Sequence, residues 1–106
     1  MKLYVDSSVV LRVVLGERGR LAQWRSIERG IASALVEVES LRTLDRMRLR
    51  GSLSSARVIA FRQSVFETLD ALEIVEISKP VLSRASAPFP SPLGTLDAIH
   101  LATALA

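Results

Sequence analysis

Several residue types that often carry chemistry are scarce in this chain of 106 residues. It has no cysteine and one histidine, and aromatic residues make up only 5% of it. The absence of cysteine excludes disulfides, thiolate metal sites and a cysteine nucleophile. A single histidine excludes a zinc site built from several histidines. A bound metal would therefore be held mainly by carboxylates, which favours a hard cation such as Mg²⁺ or Mn²⁺.

Long uncharged hydrophobic runs are also missing. Asp6 and Arg12 interrupt the apolar N-terminal stretch, and no small-residue cleavage site follows it. No segment reaches the ~18 apolar residues that a membrane span needs. Together with the lack of cysteine, this predicts a cytoplasmic protein with no membrane segment.

What is present is the composition of one globular domain, with 49% hydrophobic and 24% charged residues. Lys and Arg number 14 against 11 Asp and Glu, so the net charge is +3, too small for a tail that coats nucleic acid. Most of the cations are arginines, whose planar guanidinium pairs well with phosphate. A genome of biased composition would produce the same excess.

The apolar pattern predicts strands and helices in alternation. Strands are predicted over residues 2–5, 31–34 and 73–77, and helices over 9–15, 19–29, 35–50, 52–70, 80–86 and from 96 onward. Strands separated by helices imply an α/β fold, a three-layer α/β/α sandwich with a mainly parallel central sheet. Ligands of such sheets bind at the carboxyl ends of the strands, which singles out the residues after the first two strands.

Three acidic residues occupy such positions. Asp6 follows the first strand, Glu39 lies early in the helix after the second, and Asp97 opens the last helix behind Thr95, a predicted N-cap. Each has a structural alternative, as a capping carboxylate, a member of an ion-paired helix face, or a charge on the helix dipole. If they converge at one sheet edge, a divalent cation is needed to keep them all ionised.

The helix after the second strand leaves one choice open. On its helical wheel Glu39 shares a stripe with Arg42, Arg46 and Arg50, typical of either a solvated, ion-paired face or a carboxylate flanked by phosphate-binding arginines. Glu37 points to the opposite side. Periodicity alone does not decide which glutamate is active.

Other chemical signatures are weak. A lone histidine is usually structural, so His100 is interpreted as a structural residue, and Trp24 is interpreted as a packing residue. The sequence has no Ser–His–Asp order and no glycine-rich phosphate loop, and its glycines are isolated and interpreted as breaks between elements.

Three motifs resemble those of the PIN-domain family. They are residues 3–8 (LYVDSS), residues 32–35 (ASAL) followed by Glu39 and Arg42, and residues 94–104 (GTLDAIHLATA). The third is the most specific. In this order and spacing they resemble the VapC toxins of bacterial and archaeal toxin–antitoxin pairs, and the resemblance covers essentially the whole chain.

The resemblance implies a metal-dependent endoribonuclease. Such an enzyme would hydrolyse RNA phosphodiester bonds with a carboxylate-held Mg²⁺ or Mn²⁺ and an activated water. Carried over by motif, the catalytic and metal-binding residues are Asp6, Glu39 and Asp97, with Thr95 and Ser7 in support. The family pattern thus favours Glu39 over Glu37 as the active glutamate. The arginines expected to contact RNA phosphates are Arg42, Arg46 and Arg12.

The resemblance also implies partners and one departure. It implies a homodimer and a cognate antitoxin whose C-terminal segment enters the active site. In the family, a further strand follows the last helix, pairs beside strand one and ends in a fourth acidic residue. We expect a single PIN-like domain over residues 1–106 that is C-terminally incomplete, with strand one at a sheet edge. Two alternatives stay open: a catalytically weak or inactive module that binds RNA or an antitoxin, and a generic α/β scaffold whose carboxylates lie far apart.

Overall fold

The computed structural model describes residues 2–16 and 29–105 of the chain. Its strands are β1 (Lys2–Tyr4), β2 (Arg29–Ser33) and β3 (Glu73–Val75). The helices within these residues are α1 (Ser7–Val14), α2 (Leu35–Leu49), α3 (Ser55–Asp70), α4 (Lys79–Ala85) and α5 (Thr95–Leu105). The helix predicted over residues 19–29, with Trp24, lies outside the described residues except for its last residue, Arg29. That residue belongs to β2. None of the described helices is long and apolar enough to cross a membrane.

The three strands form one parallel sheet in the order β1-β2-β3. Tyr4 of β1 pairs with Ile31, and Ala32 of β2 pairs with Ile74 of β3. The predicted parallel α/β fold is therefore confirmed. Because all the strands run the same way, their carboxyl ends meet at one edge, where α1 and α2 begin.

Helices pack on both faces of this sheet. Val5 lies in the main core with Ala32 and with apolar residues of α1, α2 and α3, namely Val10, Val36, Leu44, Val65 and Leu69. The preceding residue, Tyr4, contacts His100 of α5 instead. Since successive side chains along a strand point to opposite faces, α5 lies on the face away from α1, and α4 packs against α5. This gives the three-layer arrangement.

Local sequence explains where the helices begin and end. Ser54 and Ser78 cap α3 and α4 through their hydroxyls, and Pro80 lies in the first turn of α4, where its missing N–H costs nothing. Gly51 follows α2 with φ +78°, the left-handed conformation that glycine adopts most easily.

Three predicted helix starts need correction. The helix predicted from residue 52 begins at Ser55, because Ser54 is its N-cap. Helix α1 begins at Ser7 rather than Val9, because the Asp6 carboxylate accepts a hydrogen bond from the Val9 amide at 3.1 Å and so acts as the N-cap. Thr95, predicted as the cap of the last helix, is instead its first residue. The Gly94 carbonyl accepts the first helical bond, from the Ala98 amide at 2.9 Å.

Candidate active site

A groove opens where the first turns of α1 and α5 meet one face of α2. It has a volume of about 320 Å³, at the lower end of ligand-binding pockets. Ser7 and Leu96 line it from α1 and α5, and α2 contributes Glu39, Arg42 and Arg46. We call it the α2 groove. It lies next to the carboxyl ends of β1 and β2, where the fold class predicts a ligand site.

Three of the four residues of the predicted stripe along α2 line this groove, and Arg50, at the end of the helix, does not. Arg42 is exposed over 61% of its side chain and lies 3.4 Å from Asp45, whereas Arg46 donates to Thr43 Oγ1 at 2.9 Å. Two guanidinium groups and the Glu39 carboxylate therefore line one surface. Asp45 pairs with the first of these guanidinium groups, so the groove brings together charges of both signs.

Glu37 and Glu39 lie on opposite sides of α2, as the helical wheel predicted. Glu37 lines a separate cavity with Phe66 and Asp70 of α3 and with Ile74 of β3. Only Glu39 of the two shares a groove with the arginines and with Ser7. Packing therefore places Glu39, and not Glu37, in the α2 groove, while the assignment of Glu39 as the active glutamate stays a prediction.

Glu39 is held by a pair of side chains that sequence reasoning did not assign to the site. Its Oε1 lies 2.6 Å from Nε2 of His100, and Nδ1 of that imidazole lies 2.6 Å from the Tyr4 hydroxyl. The Tyr4 and His100 rings meet edge to face at 6.0 Å between centroids. Only 14% of the His100 side chain and 25% of the Glu39 side chain are exposed. His100 is thus part of a polar chain rather than of apolar packing.

Tyr4 has a strongly perturbed pKa. Burial raises the pKa of its phenol to about 12; a hydrogen bond with the Ser33 backbone opposes this rise, and the charges of Glu39 and Asp6 add to it. Two of the predicted acidic residues therefore act on the same hydroxyl. The shift also keeps Tyr4 protonated, and able to donate, between about pH 10 and 12, where an ordinary phenol ionises.

The Asp6 carboxylate is partly desolvated at the helix start. This burial works to raise its pKa, but hydrogen bonds from the Ser8 hydroxyl and from the Val9 and Ser8 amides, with a contribution from nearby His100, outweigh it and lower the pKa below its ordinary value. The Ser8 hydroxyl donates at 2.6 Å. Asp6 is therefore ionised at neutral pH, and it caps α1 at the same time.

The remaining predicted residues differ in placement. Asp97 is exposed one turn before His100, and within residues 2–16 and 29–105 it makes no hydrogen bond or ion pair. Thr95 is exposed beside it, at the start of α5. Arg12 lies in the last turn of α1 and, within the described part of the chain, does not line the α2 groove.

The donor types suit Mg²⁺ or Mn²⁺, because the predicted ligands are carboxylates and Asp6 is ionised. Their arrangement does not provide three ligands for one ion. Among the described residues, no three Asp, Glu or His side chains are grouped closely enough to hold a metal. Glu39 is hydrogen-bonded to His100, and Asp6 to the first turn of α1. No step of a reaction is therefore assigned to a bound ion from this geometry.

Comparison with known proteins agrees with the fold. The PIN domain family matches residues 3–106. Ribonuclease VapC47 of Mycobacterium tuberculosis (strain CDC 1551 / Oshkosh) is 30% identical over 109 aligned residues, which cover 96% of this chain and 74% of that protein. The match spans all three motifs and the three-stranded parallel sheet. The chain belongs to the PIN-domain family and is a protein of the VapC type.

Proposed function

We propose that this protein is an endoribonuclease, the toxin of a toxin–antitoxin pair. The observation that carries the proposal is the α2 groove, where Glu39 lies with Arg42 and Arg46 beside the carboxyl ends of the parallel strands. Membership of the PIN-domain family supports a nuclease of the toxin class, and the relative's name supports RNA as the substrate.

In this proposal the substrate's phosphates lie against Arg42 and Arg46. Guanidinium groups offer paired N–H donors that match phosphate oxygens, and they attract the backbone regardless of base. Arg12 would contact the RNA outside the groove. The two exposed arginines follow Glu39 along one helix face, so a phosphodiester bound to them would lie next to a carboxylate.

We further propose that cleavage depends on Mg²⁺ or Mn²⁺, with Asp6, Glu39 and Asp97 as the ligands, directly or through water, and with Ser7 and Thr95 in support. The support for this is chemical: the residues are carboxylates, and Asp6 is ionised at neutral pH. When bound, such an ion would activate a water and balance the charge of the phosphate. This chain's own part is to hold the carboxylates and to bind the substrate backbone.

The partners follow from the same proposal. A cognate antitoxin would occupy the groove in place of RNA, and Leu35, Val38 and Leu96 offer it apolar surface there. We propose a homodimer in the cytoplasm, in keeping with the VapC type.

The experiment compares RNA cleavage by wild type, Asp6→Asn and Asp70→Asn, with added Mg²⁺ or Mn²⁺ and with a chelator. Asparagine still caps a helix, so Asp6→Asn removes the charge and keeps the fold. We expect it to lower the cleavage rate at least about tenfold. Asp70→Asn makes the same chemical change at the exposed end of α3 and should cleave like wild type. Equal cleavage by all three proteins, or full activity in chelator, would refute the proposed site.

One observation favours a second candidate, a module that binds RNA or an antitoxin without cleaving. It is the lack of a three-ligand metal group among the described residues. This candidate predicts that wild type binds RNA but cleaves none with either ion, and that Arg42→Ala weakens the binding. Calorimetric titration with Mn²⁺ separates the two, because the nuclease must bind the ion and the binding module need not.

A further inference from the structure

We propose that Tyr4 and His100 are positioning residues that hold the Glu39 carboxylate in one orientation through a directed hydrogen-bond chain. The proposal rests on the proposed function, in which Glu39 acts in the α2 groove. The three groups come from different layers of the fold, since Tyr4 is in β1, Glu39 in α2 and His100 in α5. Both links of the chain measure 2.6 Å.

For an imidazole that carries one proton, the direction of the hydrogen-bond chain follows from counting protons. A tyrosine phenol is protonated at neutral pH and has one proton to donate. The group within reach is His100 Nδ1, at 2.6 Å, which must then be the unprotonated nitrogen of the ring. The ring proton consequently sits on Nε2 and is donated to Glu39 Oε1, since an ionised carboxylate only accepts. This assigns the neutral Nε2–H tautomer.

The consequence for Glu39 is geometric. One carboxylate oxygen is tied to a ring that is itself only 14% exposed and held at its other nitrogen, so the side chain cannot rotate freely. Glu39 nevertheless lines the groove, where the rest of the carboxylate meets the ligand. Histidine and carboxylate partners orient reactive groups in this way in other sites, and their loss typically costs about 10- to 100-fold in activity.

The first test does not require activity. His100 is the only histidine, so ¹⁵N labelling of histidine gives one imidazole signal pair in the full chain. At pH 8 we expect the folded protein to show Nε2 protonated and Nδ1 accepting a hydrogen bond, with a higher share of this tautomer than in the urea-unfolded chain. A protonated Nδ1, or the same tautomer mixture as in the unfolded chain, overturns the proposal.

The second test separates positioning from structure. We expect His100→Ala to lower kcat for RNA cleavage about 10- to 100-fold with KM changed less than about twofold. His100→Gln, whose amide can donate near the place of Nε2, should recover part of that loss. Tyr4→Phe alone should lower kcat about tenfold relative to wild type. Added to His100→Ala it should have no further effect, because Tyr4 acts through the His100 imidazole.

Gln63→Ala, on the exposed face of α3, is the control and should match wild type in both tests. Circular dichroism verifies that each variant is folded. Wild-type kcat in folded His100→Ala overturns the proposal, as does independent loss in the double variant. If wild type itself cleaves no RNA, the proposed function fails. The tautomer measurement still decides whether the hydrogen bonds from Tyr4 to His100 and from His100 to Glu39 are formed.

Discussion

The pH titration of Tyr4 tests the core of the candidate site directly. Tyr4 is the only tyrosine of the chain, so the tyrosinate absorbance reports on this one phenol. Burial raises its pKa to about 12, with the charges of Glu39 and Asp6 adding to the shift against a hydrogen bond from the Ser33 backbone. An unperturbed phenol titrates near 10. In the folded protein the Tyr4 phenol should therefore stay protonated up to a higher pH than an ordinary phenol.

The size of the effect is large enough to measure. At pH 11 a phenol with a pKa of about 10 is about 90% ionised, and one with a pKa of about 12 is about 10% ionised. The sign for stability follows from proton binding. Between about pH 10 and 12 the folded chain holds a proton that the unfolded chain has lost, so this contribution to stability is complete below pH 10 and disappears as the pH rises to about 12.

The assay records tyrosinate absorbance and far-ultraviolet circular dichroism together, in metal-free buffer, from pH 8 upward. Points count only while the dichroism is native. We expect Glu39→Gln to lower the midpoint, because its charge raises the pKa of Tyr4. Glu37→Gln, on the opposite side of α2, should leave the midpoint unchanged. A midpoint near 10 in the native wild type would show that the phenol is not buried as described, and the reasoning would be wrong.

Three further predictions concern the free energy of unfolding, measured by urea denaturation. Asp6→Ala should lower it by about 1 kcal/mol at pH 7 through loss of the cap, whereas Asp6→Asn keeps the cap. Because the folded pKa of Asp6 is lowered, the stability linked to its charge is present above about pH 4 and is lost as the pH falls through that lowered pKa, so wild type and Asp6→Asn should converge in acid. Gly30→Ala should cost about 1 kcal/mol, because the added methyl meets the Leu72 side chain. Ser40→Ala should raise stability by about 1 kcal/mol, because the buried Ser40 hydroxyl has no hydrogen-bond partner in the described part of the chain.

Much of the fold follows from local sequence. The β-branched run at residues 73–77 predicts the third strand, and glycine after residue 50 predicts the end of α2, because these signals act within a few residues. The same locality explains the errors. Local signals start the first helix at Val9 and offer Asp6 as either a capping carboxylate or a metal ligand, whereas in the structure Asp6 is the N-cap and the helix begins at Ser7. Gly30, interpreted as a break between elements, lies within β2, where an added Cβ would meet the end of the Leu72 side chain.

In the candidate site, too, local sequence predicts the placement of some residues and not of others. Glu39 lies with Arg42 and Arg46 because all three belong to one helix, and helical spacing alone brings them to one face. The place of Asp97 relative to that face depends on how α5 packs across the sheet, which no periodicity in α5 encodes. The assignment of Asp97 as a ligand therefore stays a prediction that rests on the motif.

His100 shows why a lone histidine is hard to assign. Its contacts lie 61 and 96 residues away in sequence, at Glu39 and Tyr4, so no local pattern connects them. Two weak signals did exist: a strand period of two places Tyr4 on the same face as Asp6, and helical spacing places His100 one turn after Asp97. Each signal names a face and neither names the opposite partner. Only the packing of α5 on the sheet brings the His100 imidazole between the Tyr4 phenol and the Glu39 carboxylate and joins the three groups in one hydrogen-bond chain. The role of a polar residue at a sheet edge is therefore better predicted from the residues of other layers that it could contact. The general frequency with which its residue type has a structural role is a weaker guide.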